Sequence, residues 1–132
     1  MKMIASPTDA ELELLQVLWT HGPATVREVL EHVDREIGYT TVLKLLQIMH
    51  GKGLVERDES ARSHRYSPTQ ARDVVEGGML RDLARRLFEG STQQLVQAAL
   101  AHEQVDADEL AEIERMVRKA RRAQRRRDEE DS

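Results

Sequence analysis

The apolar positions of this chain fall into helical stripes, interrupted once by a short extended stretch. Leu12, Leu15, Leu18 and Trp19 recur at the spacing of one helix face, with Leu14 and Val17 flanking it. Thr8-Asp9-Ala10-Glu11 comes just before, a hydroxyl at N-cap and a carboxylate three residues on, the pattern of a capping box. His21-Gly22-Pro23 predicts the end of this helix, because glycine caps and proline cannot continue it. Thr25-Val26-Arg27-Glu28 is a second capping box, opening a short stripe of Val26, Val29, Leu30 and Val33 that Gly38 stops. A third helix is predicted to open at Thr40 or Thr41. Val42, Leu45, Leu46 and Met49 give it an inward face, and Gly51-Lys52-Gly53 ends it.

Leu54-Val55-Glu56-Arg57 then predicts a strand, Asp58 to Ser63 a polar turn, and His64-Arg65-Tyr66-Ser67 a return strand closed by Pro68. Three short helices followed by a two-stranded ribbon, all within about 70 residues, is the order of a helix-turn-helix with a wing. Beyond Pro68 the periodicity is helical throughout: 70–88 with Gly90 as its stop, 91–101, and a helix capped by Asp106 carrying Leu110, Ile113, Val117 and Ala120. The expected fold is therefore mainly α with a small β-hairpin wing. A winged helix-turn-helix at 1–68 is followed by a helical dimerisation region at 69–120 and a charged, disordered tail at 121–132. Gly77-Gly78 lies inside a predicted helix, where each glycine costs about 1 kcal/mol relative to alanine. It marks either a close backbone approach or a bend.

Charge changes this picture in one respect. The 132 residues carry a formal net charge of −4, which counts against nucleic acid as a partner, but the cations are not spread evenly. Between Thr40 and Ser67 the local balance is positive, and from Arg115 to Arg127 eight cations run without an acid. The basic run suits DNA, an acidic partner, or merely the negative end of a solvated helix. The chain has no cysteine, no apolar run near the roughly 18–20 residues that span a bilayer, and no apolar leader, which points to a cytoplasmic protein without disulfides or thiolate metal sites.

Three runs resemble the penicillinase-repressor (BlaI/MecI) family. They are Thr8-Asp9-Ala10-Glu11-Leu12-Glu13 continuing to Val29, Tyr39-Thr40-Thr41-Val42-Leu43 continuing to Lys52-Gly53-Leu54-Val55, and Ser63-His64-Arg65-Tyr66-Ser67-Pro68. The resemblance covers roughly residues 6–118. It implies a homodimeric transcriptional repressor that binds a palindromic operator near its own genes and is induced by proteolysis through a membrane sensor protease. Three departures accompany it. Many members carry a basic residue where this chain has Ile48, so its base preference is expected to differ. The cut in well-known members falls at an Asn-Phe pair, which aligns here with Ala98-Ala99. The cysteine cluster of copper-responsive relatives is absent.

The candidate DNA-reading residues are those opposite the inward face of the third helix: Thr40, Lys44 and Gln47, with Thr41 and Ile48 at the edge. Glutamine pairs with adenine and lysine with guanine or phosphate in the major groove. Hydroxyls at a helix start suit phosphate. On the wing, Arg62, His64 and Arg65 are candidate phosphate contacts, whereas Tyr66 is expected to pack beneath the wing. Leu83, Leu87, Leu95, Leu100, Leu110, Ile113 and Val117 are the candidate dimerisation residues. The five histidines, at 21, 32, 50, 64 and 102, show no tight ligand spacing, so no metal or other cofactor is expected. No nucleophile–base set or phosphate loop suggests an enzyme. The competing reading is a winged-helix interaction module that binds protein rather than DNA. Net acidity and Ile48 favour it; Lys44, Gln47 and the wing arginines oppose it.

Overall fold

A computed structural model describes residues 6–34 and 36–132. Its elements, in chain order, are α1 (Asp9–His21), α2 (Val26–Glu31), α3 (Tyr39–Lys52), β1 (Val55–Asp58), β2 (Arg65–Pro68), α4 (Arg72–Phe88), α5 (Thr92–His102) and α6 (Ala107–Glu130). The chain divides into two compact units, residues 1–83 and 84–132.

In the first unit both capping boxes form. The Thr8 hydroxyl accepts from the Glu11 amide and the Glu11 carboxylate accepts from the Thr8 amide, with Thr25 and Glu28 doing the same for α2. Each box satisfies two helix-start donors that would otherwise lack partners. α1 packs against α2, α3 and β2. Being surrounded, it buries Leu14 and Val17, expected only to flank its stripe, together with Leu15 and Leu18. Val29 of α2 and Val42, Leu46 and Met49 of α3 complete the helical part of the core, with Leu45 packed at its edge. Emptying one such position, as in Leu46→Ala, costs about 3 kcal/mol in a packed interior.

The wing is a two-stranded antiparallel sheet in the register Val55↔Pro68, Glu56↔Ser67, Arg57↔Tyr66 and Asp58↔Arg65. Pro68 is the last residue of β2 rather than a stop beyond it. Ala24, two residues before α2, forms an isolated antiparallel bridge to the sheet: Tyr66 and Ala24 exchange backbone hydrogen bonds of 2.8 and 3.0 Å. Tyr66 thereby enters the core and is buried, beneath the wing as its sequence context suggests. Gly53, at the end of α3, adopts φ +82°, a left-handed cap that turns the chain directly into the wing.

The beginning of α4 belongs to this unit. Trp19 Nε1 donates to the Gln70 carbonyl at 3.0 Å, and the Arg72 guanidinium lies over the Trp19 ring. The compact unit thus extends past the expected boundary at 68 to Leu83. α4 runs unbroken through Gly77-Gly78. A methyl added at either glycine would meet only the guanidinium of Arg81, so neither a break nor a close backbone approach occurs there among the described residues.

In the second unit Gly90 takes φ +84° after α4, Ser91 caps α5, and Asp106 caps α6 by accepting from the Glu109 amide at 2.8 Å. The expected disorder of residues 121–132 is corrected: α6 continues to Glu130. Arginine, alanine and glutamine are all strong helix formers, and Gln124 bridges to both Asp128 and Arg127 along the helix surface. No helix among the described residues is long and apolar enough to cross a membrane.

Candidate nucleic-acid interface

α3 begins one residue earlier than the threonines suggest. Gly38 is its N-cap, in extended conformation, and no side chain among the described residues caps it. The first bond of the helix runs from the Val42 amide to the Gly38 carbonyl at 3.2 Å. Tyr39, Thr40 and Thr41 therefore occupy the first turn, where amides have no partner within the helix. Such a terminus attracts phosphate. Thr40, Thr41, Lys44 and Gln47 are all exposed, and Ile48 is 42% exposed. The inward face of α3 is held by the core, so these outward residues sit on a rigid support.

The far end of α3 is clamped to α1. Lys52 Nζ donates to both carboxylate oxygens of Glu11, at 3.0 and 2.9 Å, and Glu11 is only 2% exposed. Burial pushes the Glu11 carboxyl upward, but the Thr8 amide and Lys52 together hold it below the ordinary glutamate value. The capping carboxylate of α1 thus also fixes the end of α3, a dual use that the local capping pattern does not reveal.

On the wing the cations divide by what they touch. Arg57 Nε donates to Glu59 at 2.7 Å, and this bond raises the Arg57 pKa and lowers that of Glu59, so Arg57 is already paired. The Asp58 carboxylate accepts from Ser60, at 2.9 Å from its amide, and shapes the wing tip; these bonds lower the Asp58 pKa. Arg62 and His64 are exposed, and His64 lies near enough to Asp58 and Glu59 for its charge to help lower both their pKa values. Arg65 is also exposed, but its guanidinium reaches the Glu28 carboxylate of α2 at 3.2 Å. That pair is solvated, so water and phosphate compete readily for it.

The structure adds residues that the sequence did not single out. A cleft of about 350 Å³ between the start of α2, the start of α3 and the wing is lined by Arg27, Tyr39, Leu43, Arg62 and His64, among others. Arg27 lies over the Tyr39 ring, 5.8 Å from its centre. A signal was present: an arginine in the first turn of a helix opposes the helix dipole and suits a position where an anion arrives. His21 and His32 are likewise brought together, their rings stacked with centres 3.7 Å apart, though far apart in sequence. No group of three or more metal-binding side chains forms among the described residues.

Of the candidate dimerisation residues, Leu87, Leu100, Leu110 and Val117 are exposed, while Leu83, Leu95 and Ile113 are half-buried. Exposed Leu80, Val96 and Met116 belong to the same helices and were not singled out.

A core-supported helix with an exposed polar face, preceded by a short helix and followed by a two-stranded wing carrying Arg62 and Arg65, defines a winged helix-turn-helix transcriptional regulator. Residues 7–119 match the penicillinase repressor family. The chain is 38% identical over 115 residues to the transcriptional regulator BlaI of Mycobacterium tuberculosis, covering 83% of this chain and 80% of that protein. The solution structure of the monomeric form of Bacillus licheniformis BlaI in complex with the blaP half-operator is 27% identical. It covers 55% of this chain and 92% of that one, with a TM-score of 0.48. A MarR family protein from Bacillus stearothermophilus shares the fold at 21% identity and a TM-score of 0.51, over 91% of this chain and 76% of that one. The chain belongs to the penicillinase repressor family: it is a DNA-binding transcriptional repressor and not an enzyme.

Proposed function

We propose that the protein works in the cytoplasm as a homodimer on a two-fold operator, each copy placing α3 in a major groove. Thr40, Thr41, Lys44, Gln47 and Ile48 face the bases and adjacent phosphates. Arg62, His64 and Arg65 hold the flanking backbone from the wing, and Arg27 and Tyr39 line the cleft between them. The observation that carries this reading is the first turn of α3, with unpartnered amides, two threonine hydroxyls and Lys44 on one exposed face of a core-anchored helix. The competing interaction-module reading leaves that constellation, and the exposed Arg62, without a purpose.

Dimerisation through Leu83, Leu87, Leu95, Leu100, Leu110, Ile113 and Val117 gives the apolar surface of α4–α6 a partner. It also supplies the two-fold symmetry that an operator reader needs. Release follows cleavage in the C-terminal region by a sensor protease, the mode that family resemblance implies.

The test is binding of full-length Lys44→Ala and Gln47→Ala proteins to an operator located by footprinting. Each should lose roughly 1–3 kcal/mol of discrimination against random duplex. Neither side chain is buried, so melting should hardly change. Wild-type affinity in both variants would overturn the assignment of α3.

A further inference from the structure

α6 is polarised along its length. Within α6, Asp108 to Glu114 carries four acids and no lysine or arginine; Arg115 to Arg127 carries eight cations and no acid, before Asp128, Glu129 and Glu130 close the helix. Charge scattered at random along a solvated helix would not segregate in this way. The apolar residues of α6 form a seam at 3-4-3 spacing, Leu110, Ile113, Val117 and Ala120, and that spacing is the seam of a two-helix coiled coil. The seam is symmetric about Arg115: Leu110 and Ala120 lie five residues to either side, Ile113 and Val117 two. Leu110, Val117 and the neighbouring Met116 are exposed on this chain.

We propose that α6 pairs antiparallel with α6 of a second copy, centred on Arg115, and that the arginine run is the counter-charge of the second copy's acidic half. This rests on the dimer reading above and specifies its geometry. In this register Leu110 meets Ala120 of the second copy, and Ile113 meets its Val117. The same register brings Arg118 level with Glu112 of the second copy and Arg121 level with its Glu109. Long arginine side chains span the groove between helices to reach such partners. A parallel pair would instead set eight cations beside eight cations and the acids beside acids, which like-charge repulsion opposes.

Absence of cysteine makes the test direct. A single nitroxide label on full-length Gln124→Cys reports the distance between the two copies by double electron–electron resonance. Nine residues from the centre on each helix, at 1.5 Å per residue and with axes 8–10 Å apart, the labels should be about 28 Å apart. A parallel pair would place them roughly 10 Å apart. Sedimentation of charge variants supplies the second readout. Glu109→Arg with Glu112→Arg should weaken the dimer about tenfold, as should Arg118→Glu with Arg121→Glu, while all four changes in one chain should restore it. A dimer with a short label distance, or one indifferent to all these changes, would overturn the antiparallel pairing and leave the dimer reading standing. So would a loss of DNA affinity in Arg118→Glu/Arg121→Glu with the dimer constant unchanged, which would assign the run to DNA. A chain monomeric at every concentration would remove the dimer reading and this one with it.

Discussion

The two units of this chain solve the hydrophobic problem differently. Residues 1–83 close a core in which Leu14, Leu15, Leu18, Val29, Val42, Leu46, Met49 and Tyr66 are almost wholly withdrawn from water. Residues 84–132 bury only Ala84 to that degree among the described residues, and they leave Leu87 64% and Met116 59% exposed. Both segments have amphipathic helices, so the difference lies in number and arrangement. Two helices and a sheet surround α1 on several sides, whereas the end of α4 with α5 and α6 cannot enclose one another. A small unit that fails to bury its apolar face needs a partner. The lesson is a contrast between a unit whose core is closed and one whose apolar surface stays open.

The sharpest way to break that contrast is to separate the halves. A chain ending at Leu83 should fold cooperatively, sediment as a monomer and bind the operator at least about a hundredfold more weakly, because paired half-sites lose their avidity. Sedimentation and fluorescence anisotropy check this; an intact dimer at residues 1–83 would erase the distinction between the units.

Within the first unit, the largest stability effect should come from the clamp between α1 and α3. Lys52→Ala strands a buried carboxylate and should cost about 2 kcal/mol, the partial exposure of Lys52 moderating a larger penalty. The sign of the pH dependence follows from the lowered Glu11 pKa. Its contribution is full above the ordinary glutamate value of 4.5 and is lost as pH falls through and below that value. Urea melts from pH 7 to pH 3 should therefore show wild type losing its advantage over Lys52→Ala as acid is added.

The wing should contribute through charge. Arg62→Ala should flatten the dependence of log affinity on log salt by about one unit. Arg65→Ala should flatten it less, because Glu28 already neutralises part of that charge. Equal and undiminished slopes in both variants would take the wing out of the interface. The smallest effect is expected at the glycines of α4: Gly77→Ala and Gly78→Ala should each raise stability by roughly 0.5–1 kcal/mol, since a methyl meets only the mobile end of Arg81.

Local signals carried most of the first unit. Two capping boxes, the inward stripe of α3 and the strand pair of the wing are written within a few residues each, and the outward residues of α3 follow from the inward ones. What was not legible depends on distance along the chain. The clamp of Lys52 on Glu11, the shared charge of Arg65 and Glu28, and the Arg27–Tyr39 wall of the cleft join residues from different elements. Two local readings also missed. The threonines at 40 and 41 looked like caps, but Gly38 took that position. A run of arginines looked like a solvated disordered tail, but its residues are good helix formers and the helix continues through them.

The central claim is that two closed DNA-binding units are held in register by one shared interface. A footprint of the full-length protein on DNA upstream of its own gene tests it most directly, with the Lys44→Ala/Gln47→Ala double variant run beside it. The account predicts two protected half-sites related by two-fold symmetry, centres one helical turn or a multiple of it apart, both lost together in the variant. A single protected half-site, or protection that survives loss of Lys44 and Gln47, would contradict it.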